Sequence, residues 1–137
     1  MPVVTCILET CLYVDDLDRA IQFYGRLFGF AVMNRDERFC AMNVAPGSVL
    51  LLFRRGGTLS AIETGYGSIP PHDGHGPLHM ALAIPAESLA EWEATLAEAG
   101  LAVEGTVRWP RGSVSLYFRD PDGHLIELAT PGLWENY

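Results

Sequence analysis

Residues 7–14 alternate in the manner of a strand, with Glu9, Cys11 and Tyr13 on one face and Leu12 and Val14 on the other. Asp15 or Asp16 then stands where a helix N-cap belongs. Leu17, Ala20, Ile21, Tyr24 and Leu27–Phe28 recur at helical spacing, which predicts a helix over 17–28 that stops at Gly29. Residues 30–35, 39–44 and 49–54 read as three strands, the last two joined by a Pro46-Gly47 turn. The order is βαβββ.

The same order then recurs. Residues 78–84 form a strand with His79, Ala81 and Ala83 on one face, 87–99 a helix, and Gly100 its stop. Strands follow at 102–109, 113–119 and 124–129, the last two joined by Asp120-Pro121-Asp122-Gly123. Superposing the halves puts Glu9 over His79 and Leu51 over Glu127, so three of four equivalent positions carry potential metal ligands. Alternation points them away from the helices, with Leu125 and Ala129 beside Glu127. A repeat that places polar groups at its own equivalent positions suggests one shared site. The whole of 1–137 is expected to be a single domain, with modules at 5–55 and 78–130. The Gly-, Pro- and Ser-rich stretch 56–77 is expected to link them and to edge the site. Trp134 and Tyr137, in the tail 131–137, are expected to pack on the other half or on a second subunit.

A chain of 137 residues is long enough for one substantial core. Its formal charge of −8 argues against nucleic acid or an anionic membrane as partner. A small-molecule substrate remains open, since one local arginine outweighs the global field. No apolar run approaches the ~20 residues of a membrane span. The start of the chain has no basic region, and Glu9 interrupts its apolar stretch, so a signal peptide is not expected and a cytoplasmic location is. Cys6, Cys11 and Cys40 then read as reduced thiols. Neither a phosphate loop nor a serine nucleophile elbow is present.

Three stretches carry a resemblance: Val14-Asp15-Asp16-Leu17 with Phe23-Tyr24, Leu27-Phe28-Gly29, and Asp120-Pro121-Asp122-Gly123-His124-Leu125-Ile126-Glu127-Leu128. Through them nearly the whole chain resembles the vicinal oxygen chelate superfamily, the group of glyoxalase I, extradiol dioxygenases, fosfomycin-resistance enzymes and bleomycin-resistance proteins. The resemblance implies an α+β fold in which two βαβββ modules form an incompletely closed eight-stranded barrel around a divalent metal. It places the ligand positions at Glu9, Leu51, His79 and Glu127. The last two match the usual His and Glu. Glu9 departs, His or Gln being commoner there. Leu51 leaves the second ligand missing, as in the fosfomycin-resistance and extradiol members. The stretch Ser113-Val114-Ser115-Leu116-Tyr117-Phe118 is similar to fosfomycin-resistance enzymes, in which the residues matching Ser115 and Tyr117 line the substrate pocket. The tail has no counterpart of that group's late arginine. Chains of this size in the superfamily commonly dimerise, so a homodimer is expected.

One imidazole and two carboxylates make a hard site for one divalent ion, with Mn, Fe, Mg, Ni or Zn as candidates. Glu9 and Glu127 are also the candidate catalytic groups, Glu9 as ligand or as general base. Alternatively, both carboxylates hydrogen-bond His79 or a polar ligand without metal. Cys11, beside two carboxylates that disfavour its thiolate, reads as pocket wall. Leu51, with Val49 and Phe53, supplies an apolar wall. Arg111 could clamp a substrate carboxylate or phosphonate, or lie exposed in its loop. His72 and His75 read as members of a solvated loop in preference to a supplementary ligand or proton shuttle. The leading expectation is a metal-dependent enzyme of the glyoxalase or fosfomycin-resistance type. It would act on a small oxygen-chelating substrate by isomerase, lyase or epoxide-addition chemistry. The alternative is a metal-free binding protein of the bleomycin-resistance type. A small ring-opening dioxygenase ranks third, its odds lowered by the altered ligand set and the short chain.

Overall fold

A computed structural model describes every residue from Met1 to Tyr137. The chain forms two compact units, Met1–Gly76 and Pro77–Tyr137. Each carries one βαβββ repeat with a four-stranded mixed sheet, so the fold is α+β with eight principal strands.

The first unit contains β1 (Glu9–Val14), α1 (Leu17–Phe28), β2 (Ala31–Arg35), β3 (Phe39–Ala45) and β4 (Ser48–Arg54). Its sheet order is β1-β4-β3-β2, with β1 parallel to β4 and the other pairs antiparallel. The helix starts where the sequence places it: Asp16 is extended, and its carboxylate accepts the Arg19 N–H at 3.0 Å. It ends at Gly29, whose φ of 72° is the left-handed conformation that closes a helix without a Cβ penalty. Leu17, Ala20 and Tyr24 form the buried stripe of α1. On the sheet, Leu12, Val14, Cys40, Met42, Leu50 and Leu52 are buried with them. Removing these apolar faces from water is the main force holding the unit together. The stretch read from sequence as a linker folds onto this unit. It contains a short hairpin, β5 (Ile62–Thr64) and β6 (Gly67–Ile69), that sequence periodicity did not reveal. Three-residue strands are too short to show a period of two.

The second unit contains β7 (His79–Ala83), α2 (Leu89–Glu98), β8 (Gly105–Arg108), β9 (Val114–Arg119) and β10 (Leu125–Ala129), in sheet order β7-β10-β9-β8. The expected helix over 87–99 opens instead as a 3-10 turn at Ala86–Ser88. There the Ser88 hydroxyl donates back to the Pro85 carbonyl at 2.8 Å instead of capping α2. The helix closes as expected at Gly100, with the Leu101 N–H returning to the Leu96 carbonyl at 2.9 Å. The tail corrects a second expectation, because Tyr137 packs on its own unit. Its hydroxyl donates toward the carbonyls of Ala129, at 2.9 Å, and Ile84, at 3.3 Å. Trp134 stays largely exposed.

The Asp-Pro-Asp-Gly turn sets the start of β10. Asp120 Oδ1 accepts the backbone N–H groups of Asp122 and His124 at 2.9 and 2.8 Å, and Gly123 takes a φ of 81°. The turn delivers His124 into full burial, where its Nδ1 accepts the Leu78 N–H at 2.8 Å. Leu78 thus has its N–H on His124 and its carbonyl on the Leu125 N–H, which fixes the backbone immediately before His79. Replacing His124 with Leu strands the Leu78 N–H in a partly buried place, at a cost of about 1 kcal/mol or more. Denaturant unfolding should show that loss as a lowered midpoint at unchanged slope; an unchanged midpoint would contradict the assigned role.

Candidate functional site

Strand registers reproduce the repeat seen in the sequence. In the first unit Cys11 pairs with Leu51, and in the second Ala81 pairs with Glu127. Glu9 and His79 each lie two residues before these partners, so Glu9 matches His79 and Leu51 matches Glu127, as the sequence alignment of the halves requires.

In the second unit, His79, Ser115, Tyr117 and Glu127 come together. Antiparallel pairing sets Glu127 opposite Tyr117 and Ala129 opposite Ser115, so the two hydroxyls share the face of the carboxylate. Glu127 is 4% exposed. Its Oε1 accepts hydrogen bonds from Ser115 Oγ at 2.5 Å and from the Tyr117 hydroxyl at 3.1 Å. Its Oε2 lies 3.2 Å from His79 Nε2. The imidazole Nδ1 is 2.9 Å from the Leu125 carbonyl, an acceptor that requires the proton on Nδ1 and directs Nε2 toward Glu127. Trp109 Nε1 donates to Ser115 Oγ at 2.8 Å, so the serine spends its own proton on Glu127. Burial raises the Tyr117 phenol above its ordinary pKa; the neighbouring Ser115 hydroxyl opposes this, and the Glu127 charge adds to it. The phenol therefore remains a donor. No arginine or lysine answers the Glu127 charge: hydroxyls and one imidazole do.

In the first unit, Glu9, Thr10, Cys11, Tyr13, Leu51, Phe53 and His72 line a cleft of about 310 Å³. Three candidates from the sequence meet there: Glu9, Cys11 and Leu51. His72 corrects the solvated-loop reading. It is half-buried, its Nδ1 is 2.6 Å from the Tyr13 hydroxyl, and the edge of its ring meets Phe53 at 4.6 Å between centroids. His75 does lie exposed, beside Asp73. Arg111 has an internal partner, its guanidinium donating to the tail carbonyls of Gly132 and Leu133 at 3.2 and 3.1 Å. No group of three or more His, Cys, Asp or Glu side chains is placed to hold a metal ion, so His79 and Glu127 are the part of the expected ligand set brought together.

Two partnerships in these clusters, Trp109 with Ser115 and His72 with Tyr13, escaped sequence reasoning. Trp109 carried a usable signal, since a hairpin of β8 and β9 puts a residue just beyond Arg108 near Ser115. The partnership of His72 with Tyr13 spans 59 positions and carried none.

A family model described as the Glyoxalase/Bleomycin resistance protein/Dioxygenase superfamily matches residues 6–128. The metallothiol transferase FosB of Bacillus licheniformis is 29% identical over 123 residues, covering 89% of this chain and 73% of the relative. The catechol-2,3-dioxygenase of Bacillus subtilis is 30% identical over 121 residues, covering 85% of this chain but 38% of the dioxygenase. Among solved structures, a lactoylglutathione lyase from Agrobacterium tumefaciens superposes with a TM-score of 0.87 at 31% identity, over 96% of this chain and 98% of the lyase.

The Tyr13 hydroxyl is the most perturbed phenol of the chain. Burial first, then the neighbouring Cys11 and Asp73, push its pKa from 10.0 to about 12. Because the folded value lies above the unfolded one, the stabilisation is fully present below about pH 10 and disappears as pH rises through about 12. Absorbance titration of phenolate formation after a rapid pH jump should lose its step near pH 12 in the Tyr13→Phe variant. Loss of a step near pH 10 instead would contradict the burial argument.

Proposed function

The chain belongs to the Glyoxalase/Bleomycin resistance protein/Dioxygenase superfamily, and from that premise we propose that it is a divalent-metal-dependent enzyme acting on a small oxygen-bearing substrate. One observation carries the reading: the buried Glu127 carboxylate has no lysine or arginine beside it, and its Oε2 and His79 Nε2, 3.2 Å apart, converge on one point with hydroxyl donors behind. A carboxylate withdrawn from water without a cationic partner is costly, and a bound cation offsets that cost. The donor set also fits a metal in its outer contacts, with the second nitrogen of His79 tied to a backbone carbonyl and the second oxygen of Glu127 tied to hydroxyls.

His79 and Glu127 would hold the ion, with Glu9 proposed as the third protein ligand; Mn, Fe, Ni and Zn suit such a set. When bound, a three-ligand metal supplies a Lewis acid with positions open to substrate oxygens. The chain's own residues do the positioning. The Leu125 carbonyl holds the His79 tautomer, Trp109 orients Ser115, and Ser115 with Tyr117 keeps one Glu127 oxygen occupied so that the other faces His79. Likeness to a lactoylglutathione lyase and to metallothiol transferases supports isomerase, lyase or epoxide-addition chemistry as the reaction class. A homodimer is the proposed assembly, and a monomer at micromolar concentration in sedimentation would overturn it.

Purified protein dialysed against each ion and then against buffer should retain about one metal per chain by plasma mass spectrometry. His79→Ala and Glu127→Ala should lose it, and Ser115→Ala should weaken binding about 10–100-fold through the misplaced carboxylate. Full occupancy in the His79 and Glu127 variants would refute the ligand assignment. Failure of the wild type to take up any ion, with a ligand bound regardless of chelator, would favour the binding-protein alternative.

A further inference from the structure

The first unit holds a polar device that the metal reading does not use. Tyr13 and His72 meet at 2.6 Å in a cleft with Leu51 and Phe53 as apolar walls and Glu9 and Thr10 also lining it. The direction of that hydrogen bond follows from the phenol's chemistry. A neutral phenol is a better donor than a neutral imidazole N–H, and a pyridine-type ring nitrogen is a better acceptor than a phenol oxygen, so the bond runs from Tyr13 to Nδ1. An imidazole that accepts at Nδ1 carries its own proton on Nε2. His72 bonds the protein through Nδ1, its backbone N–H and its carbonyl, which leaves Nε2–H for the contents of the cleft.

The ring is also held in place before anything binds. The His72 N–H donates to the Thr58 carbonyl at 3.0 Å, and Thr58 Oγ1 donates to the His72 carbonyl at 2.5 Å. Phe53 meets the imidazole edge on. Gly74 lies so close to the Tyr13 ring that any Cβ there would overlap it, so the loop after His72 is seated on Tyr13 by a close approach that needs glycine. A donor fixed in this way costs little to organise on binding.

We propose that this cleft binds a neutral, planar carbonyl compound, with its flat apolar body against Leu51, Phe53 and Tyr13 and its oxygen accepting a hydrogen bond from His72 Nε2. Charge selects for neutrality: Glu9 lines the cleft, Asp73 acts on Tyr13, and no lysine or arginine lines it. Size selects for a small ligand, since about 310 Å³ lies at the low end for small-molecule sites. His72 is the specificity-determining residue and Tyr13 its positioning partner. Glu9 is shared with the proposed metal site, so the inference is stated for the metal-free chain, and its outcome is separate from that of metal uptake.

The test is nuclear magnetic resonance on the full chain after dialysis against a chelator, with labelled histidine rings and methyl groups, using acetophenone as the probe and benzoate as its anionic counterpart. In the free protein His72 should show the Nε2–H tautomer. Acetophenone should shift His72 and the Leu51 methyls saturably, and benzoate should bind about tenfold more weakly because its charge meets Glu9 without a counter-ion. Tyr13→Phe should weaken acetophenone about fivefold, the effect of unfixing one neutral hydrogen bond, with the remaining methyl spectrum unchanged. The Nδ1–H tautomer, no saturable shift at the cleft, or equal affinity for benzoate would each overturn the proposal. The tautomer and the two-probe comparison need only the wild type, so they decide the matter even if the variant fails to fold.

Discussion

A carboxylate taken out of water must be answered by something, and in this chain the answer to Glu127 organises the second unit. Its oxygens are met by Ser115, Tyr117 and His79, each delivered by a different strand or strand position. The arrangement depends on register. Moving β10 by one residue relative to β9 would turn Glu127 to the opposite face and set Ile126 or Leu128 against the hydroxyls. The register depends in turn on the Asp-Pro-Asp-Gly turn, which starts β10, and on buried His124, which fastens the backbone ahead of His79. Loop, buried histidine, strand pairing and site are links of one chain of cause.

The two units share a topology and divide the chemistry. Position for position, Glu9 stands where His79 does and Leu51 where Glu127 does. An apolar residue at the Leu51 position leaves the first unit without a buried carboxylate. Its cleft is instead walled by Leu51 and Phe53 and given one hydrogen-bonding pair, Tyr13 with His72. The repeat thus carries a buried carboxylate beside a histidine in one half and a cleft with apolar walls in the other.

Local and periodic features of this fold were legible in the sequence. The α1 helix between Asp16 and Gly29, the Schellman close at Gly100 and the alternation of faces on β1, β7 and β10 all follow from residue type and spacing. Ser115 and Tyr117 were reachable because a resemblance pointed at them, and the register then explains why they meet Glu127. What stayed hidden depends on distant pairing or on short elements. Nothing in Pro70-Pro71-His72 announces a tyrosine 59 residues earlier. The hairpin of β5 and β6 is too short for periodicity, and the tail carbonyls that hold Arg111 are backbone groups without a residue signature.

The most direct test of the central claim is anomalous diffraction from crystals loaded with Mn²⁺ or Zn²⁺. The account predicts one peak per chain within about 2.0–2.3 Å of both His79 Nε2 and Glu127 Oε2, with Ser115 and Tyr117 still on Oε1. A fully occupied ion elsewhere, with the His79–Glu127 contact intact and empty of metal, would contradict it.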